Sequence, residues 1–129
     1  MGRALNLSQF QHNVTDGTTT VGTGFVVNGS AKAWVNFNGT GTPAARDSFN
    51  FASLTDHGTG IYAVNMSSAF VNNDFAPSFT SGFESGANGR TVTFSSSAFT
   101  TTSFTIRTTL TTTDEDQTVI TGSVHGDLA

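Results

Sequence analysis

The stretch Ala31-Lys32-Ala33-Trp34-Val35-Asn36-Phe37-Asn38-Gly39-Thr40-Gly41-Thr42 decides the fold. Ala33, Val35 and Phe37 fall on one side of an extended chain and Lys32, Trp34 and Asn36 on the other, because side chains alternate with a period of two along a strand. The Gly39-Thr40-Gly41 run then ends the strand with residues suited to a turn. A strand with one apolar side needs a sheet, and a sheet with one apolar face needs a second layer to cover it.

The same pattern recurs through the chain. Strands are expected near Gly24–Val27, Ala31–Phe37, Asp47–Leu54, Ile61–Met66, Phe75–Thr80, Arg90–Ser95, Thr102–Leu110 and Gln117–Val124. Asn28-Gly29 reads as a hairpin turn, and Asp56-His57-Gly58-Thr59-Gly60 as a tight reversal between two strands. Asp114-Glu115-Asp116 is expected at the tip of the last hairpin, Pro43 in a loop, and Pro77 at an edge or a strand start, where a missing N–H is tolerated. Alternation assigns Val35, Phe37, Phe49, Phe51, Val64, Val92, Phe94, Phe104 and Ile106 to the core. The expected fold is all-β: one antiparallel β-sandwich, jelly-roll-like, over Val21–Ala129, preceded by an extended N-terminal arm, Met1–Thr20.

Composition agrees. Thr, Ser, Gly and Asn abound while charged residues make up only 11% of 129 residues, and 12 Phe dominate the aromatics, a strand-and-turn inventory with few helix formers. Such a length supports one core without staples. With no cysteine there is neither a disulfide framework nor a thiolate metal site. A net charge of −4, with Arg3, Lys32, Arg46, Arg90 and Arg107 scattered along the chain, excludes the clustered basic surface that nucleic acid requires. No apolar run is long enough for a spanning helix, so no membrane insertion is expected, and no basic-then-apolar N-terminal stretch suggests a secretory signal.

The quoted stretch, together with Ser48–Phe51, the Thr55-Asp56-His57-Gly58-Thr59-Gly60 turn and Tyr62–Met66, resembles a β-module of tailed-bacteriophage virion proteins of the tail-fibre type, whose run is KAWVNFNGTGT, SFN, TDxGTG and YxVN. The resemblance is specific over Ala31–Met66, weaker through Phe70–Phe83 and absent from the first thirty residues. It departs at Ile61, where Asp is usual, and at Met66, where Phe is usual. It implies a virion location, a homotrimer and partners among other virion proteins and at a host-cell surface receptor. On that basis the chain is expected to be a small tail-fibre or receptor-binding component. The alternative is a capsid decoration or head-fibre protein built on the same module, since a chain of this length shows no heptads and no fibrous repeat to form a shaft.

Partner-binding residues follow from both lines. Leu5, Leu7 and Phe10 are the apolar anchors of an otherwise polar arm, and a polar terminus is ordered only when something holds it. Trp34, the single tryptophan, stands on the polar side of its strand. It either shields its neighbours or serves as a subunit-contact or ligand-stacking residue, and the resemblance favours a subunit contact. Loops at Asn38–Arg46, Asn72–Pro77 and Ser81–Gly89 are expected to meet the host.

No chemistry is expected, and no cofactor. The acids mostly fall in turns, where carboxylates are solvated or bond the backbone. His12, His57 and His125 are the available bases, and there is no Gly-x-Ser-x-Gly elbow. Asp114-Glu115-Asp116 lacks the twelve-residue calcium-loop pattern, and His125-Gly126-Asp127 reads as an ordinary exposed terminus. The Asn-x-Ser/Thr triplets arise naturally in a chain of this composition.

Overall fold

The alternation in the quoted stretch is realised as strand β3, Ala33–Asn38, in which Ala33, Val35 and Phe37 are buried and Trp34 is exposed. The structure, a computed structural model, describes residues 13–15, 18–82 and 90–129. It divides into two compact units, Met1–Ser30 and Ala31–Ala129, where the sequence reading divides the chain after Thr20.

The first unit contains a short antiparallel pair, β1 (Asn13–Thr15) with β2 (Thr20–Gly22), although the arm shows no periodicity that announces it. It also contains α1, Thr23–Gly29, with Ser30 closing the last turn through its amide to the Val26 carbonyl at 3.2 Å and its hydroxyl to the Val27 carbonyl at 3.1 Å. The expected strand Gly24–Val27 and the expected Asn28-Gly29 hairpin turn are therefore both corrected to helix. Nothing in the composition favours this: two valines and two glycines are weak helix formers. Leu5, Leu7 and Phe10 lie outside the described residues.

The second unit is the sandwich. One sheet has four strands in the order β4 (Ala44–Phe49), β3, β11 (Ile120–His125), β7 (Ala76–Ser81). The other has five: β10 (Thr113–Asp114), β9 (Ser103–Leu110), β6 (Ile61–Met66) and β5 (Phe51–Asp56), with β8 (Arg90–Phe94) also pairing β9. Every pairing is antiparallel. The sheets bury their inner faces together, with Val35, Phe37, Ile120 and Val124 from one meeting Tyr62, Val64, Phe104 and Ile106 from the other. Phe104 is the hub of the phenylalanine packing, its ring centroid lying 5.5–6.1 Å from those of Phe75, Phe79, Phe94 and Phe99.

The expected single strand Asp47–Leu54 is two strands. Asn50 adopts φ 50, a left-handed conformation that Asn tolerates better than most residues, and there the chain leaves the four-stranded sheet for the five-stranded one. Its amide donates to the Lys32 carbonyl at 3.0 Å, its Oδ1 accepts from the Ser68 amide at 2.7 Å, and its carbonyl accepts from Ser67. The break inverts the alternation, so Phe49, expected in the core, is 54% exposed on the outer face of its sheet. Phe94 is also corrected. It shares the inner register with Ile106, but its strand lies beside β9 at the sheet margin and leaves it 37% exposed. Phe51 and Val92 are partly buried against the core, and the remaining expected core residues are buried. Pro77 does lie on an edge strand.

Candidate functional site

Register on the four-stranded sheet places outward side chains in rows. Phe49 pairs with Trp34, Trp34 with Ser123, and Ser123 with Ser78. The next row is Asp47, Asn36, Thr121 and Thr80. Neighbouring strands stand about 4.8 Å apart and successive outward residues roughly 6–7 Å apart, so two aromatic residues stand on neighbouring strands beside a row of short polar groups. Trp34 is 39% exposed. A bulge between Asn36 and Phe37 adds Arg46 to this face. Its guanidinium donates to Asn36 Oδ1 at 3.2 Å and to the Thr118 carbonyl at 2.5 Å. Asn36 thereby keeps its Nδ2 group as a donor, and Asp47, whose Oδ1 accepts from the Ser48 amide at 2.8 Å, keeps its second oxygen as an acceptor. Sequence reasoning found Trp34 but missed Phe49, because a single left-handed residue two positions before Ala52 is invisible to a period-two pattern.

The acidic run Asp114-Glu115-Asp116 is not a hairpin tip. The turn between β9 and β10 is at Thr111, with φ 58, and the acids fold back onto the end of the sandwich. Asp116 Oδ1 accepts from the Gly60 amide at 2.7 Å and from the Tyr62 hydroxyl, which also lies 3.0 Å from the Gly39 carbonyl. Burial, followed by this bond to Asp116, pushes the ionisation of Tyr62 far above the ordinary tyrosine value. Glu115 accepts from Gln117 Nε2 at 2.8 Å and stands 3.8 Å from Arg90, while its backbone carbonyl accepts from Thr108 Oγ1 at 2.6 Å. Asp114 pairs with Arg107 at 2.6 Å. These carboxylates tie loops together. Gly39 lets the hydroxyl come this near, since a Cβ there would meet Tyr62 Oη at 2.6 Å.

The loops expected to meet the host do not share one end. Asn38 and Ser81 both lie toward Ile120 of the central strand, so the Asn38–Arg46 turn and the start of Ser81–Gly89 are together; residues 83–89 lie outside the described residues. Pro77 lies toward Val124, and the Asn72–Pro77 loop is therefore at the opposite end, next to the Phe70–Leu128 bridge. Ala31, where the sandwich begins, is at that opposite end as well, since Lys32 bonds the Val124 carbonyl.

Among the described residues, no group of three or more His, Cys, Asp or Glu is placed to hold a metal ion, and no helix is long and apolar enough to cross a membrane. Comparison with known protein families, curated proteins and solved structures finds no match to this chain.

Proposed function

We propose that the chain is a bacteriophage virion protein of the tail-fibre type, docked through its N-terminal unit and displaying the sandwich for attachment to the host. The sequence resemblance over Ala31–Met66 supplies the phage context. The structural observation that carries the docking half is α1. Phe25, Val26 and Val27 are 80%, 49% and 58% exposed, and no residue of the helix is buried. Seven residues without a side-chain N-cap, an acid in the first turn or a base in the last are too few for a helix stable in water on its own. Three adjacent apolar side chains open to solvent are a surface for another protein to cover.

On this reading residues 1–30 meet the particle, and the Asn38–Arg46 turn, at the opposite end of the sandwich from Ala31, meets the host. The assembly is a homotrimer, in which weak contacts to a surface are multiplied by copy number.

Incorporation into particles tests the proposal. Full-length chain and a chain lacking residues 1–30 are each supplied to phage assembly and detected on purified virions by immunogold labelling. Gold at the tail for the full chain, and none for the truncated chain that still gives a β-sheet circular dichroism spectrum, is the expected outcome. Gold over the capsid lattice makes the protein a decoration protein instead, and normal incorporation of the truncated chain refutes docking through the N-terminal unit.

A further inference from the structure

The two outer faces of the sandwich differ. On the five-stranded sheet the outward residues include Ser53, Thr55, Asn65, Thr93 and Thr105, and the Asn65 amide is already spent on Ser53 and Thr55 at 3.1–3.2 Å. That face also carries Ile61 and Arg107, the latter paired with Asp114, and offers no open pair of aromatic rings. On the four-stranded sheet two large rings lie open in adjacent strands, and the polar groups beside them hold spare donors and acceptors.

We propose that this face binds an uncharged oligosaccharide, Trp34 and Phe49 stacking against pyranose rings while Asp47, Asn36 and Arg46 bond the hydroxyls. This deepens the attachment reading by naming the class of ligand, and it assigns Trp34 to ligand stacking in place of subunit contact.

The chemistry matches part by part. The face of an aromatic ring is electron-rich, and a pyranose presents on one side several C–H groups made electron-poor by neighbouring oxygens. Burying those C–H groups on a ring therefore combines apolar contact with electrostatic attraction. The hydroxyls at the sugar's rim both donate and accept, so they need the mixed set supplied one row away: an acceptor oxygen on Asp47, a donor amide on Asn36 and a guanidinium on Arg46. That guanidinium is fixed in advance by two bonds at 3.2 and 2.5 Å, so ordering it costs little on binding. Asp47 and Arg46 carry opposite charges in the row beside the rings, so the hydroxyl-bonding row has no net charge of its own, and Lys32 stands two positions before Trp34 on the other side of the rings.

A second copy of the chain fits this face poorly. Two half-covered rings offer on the order of 200 Å² of aromatic surface, whereas a specific protein interface needs about 1,000 Å² or more. The rest would have to come from Asp47, Asn36, Thr121, Ser123, Ser78 and Thr80, each stripped of water and each needing a partner. A hydroxyl-rich ligand carries those partners with it.

Trp34 is the single tryptophan in the chain, so its fluorescence reports on this face without labelling. The full chain is titrated with maltohexaose, cellohexaose, mannohexaose and oligogalacturonate. The expected result is a saturable change in Trp34 emission with at least one neutral oligosaccharide, weakened about tenfold or more by Phe49→Ala and by Asp47→Ala. Both positions are exposed, so melting temperature is expected to hold in both variants. No emission change with any neutral oligosaccharide at millimolar concentration overturns the proposal, as does binding indifferent to Phe49→Ala. Tighter binding of oligogalacturonate than of every neutral sugar overturns the neutral assignment. Sedimentation of Phe49→Ala as a smaller species than the parent chain makes the face a subunit contact and overturns ligand stacking. Virion incorporation is read separately through the N-terminal deletion, so failure of sugar binding leaves the docking proposal standing, and failure of docking leaves this one standing.

Discussion

Raising the pH past the point where free tyrosine ionises is expected to destabilise the sandwich through one side chain. Tyr62 is the single tyrosine, has no exposed surface, and holds its proton well above the ordinary value of 10.0 because it is buried and bonded to Asp116. The unfolded chain releases that proton near pH 10 while the folded chain keeps it. The stabilisation is therefore fully present below the unfolded value and is lost as pH rises beyond it, until the folded group itself ionises. One proton of difference is worth about 1.4 kcal/mol per pH unit, giving a loss of about 1.4 kcal/mol at about pH 11. For a domain of this size that lowers the melting temperature by roughly 5–10 °C. The assay follows the phenolate absorbance of Tyr62 and the β-sheet circular dichroism together during an alkaline titration. The two are expected to change in one transition, and Tyr62→Phe is expected to flatten the loss of stability with pH. Phenolate absorbance that rises near pH 10 while the circular dichroism stays native refutes the reasoning, because it means the hydroxyl titrates freely in the folded state.

Three further outcomes are expected. Phe104→Ala should cost about 3–5 kcal/mol in denaturant unfolding, since it empties the centre of four ring contacts, whereas Phe49→Ala, at an exposed site, should cost under about 1 kcal/mol. Asn50→Ala should cost about 2–3 kcal/mol in the same assay, because it removes two side-chain bonds that join the sheets and leaves a left-handed residue without the side chain that tolerates it. Gly122→Ala should prevent stable folding at moderate temperature, seen by thermal melting, because the added Cβ would overlap the Phe79 ring and the Ser78 carbonyl, and backbone cannot give way there.

Much of the sandwich is legible in the chain because alternation is long and uninterrupted where it matters. Ile61–Met66 is a strand with the expected bounds, preceded by the glycine-bearing reversal at Asp56–Gly60, and Ala33, Val35 and Phe37 point inward as read. What failed had a local cause. At Asn50 one backbone angle reverses the faces, and the effect passes to Phe49. At Thr23–Gly29, Phe and Val in sequence suggest a strand, but among the described residues no strand pairs with them, and local bonds to Ser30 close a helix instead. The acids at Asp114–Asp116 look like a solvated tip because a turn acid and a capping acid have the same sequence signature. The one available clue was the lone tyrosine, whose buried hydroxyl had to find an acceptor somewhere. The proposed sugar face was half legible: Trp34 announced itself, while its neighbour and the fixed guanidinium depended on register and on the bulge.

The place of β11 has a consequence for the order in which the molecule can be made. Residues 120–125 fill the slot between β3 and β7, pairing with both along their length. Hairpins β3–β4 and β5–β6 can close as soon as they leave the ribosome, but β3 and β7 then wait with unpaired backbone facing each other across an empty lane. Contacts such as Val35 with Gly122 span most of the chain, and long-range closure of this kind is slow. Open strand edges of this kind also invite pairing with other chains. Completion of the four-stranded sheet thus waits for β11, and the face bearing Trp34 and Phe49 exists only after it. Deleting residues 120–125 would therefore remove the strand that closes this sheet. It would leave the nascent protein permanently at the stage where it is most prone to stick to its neighbours.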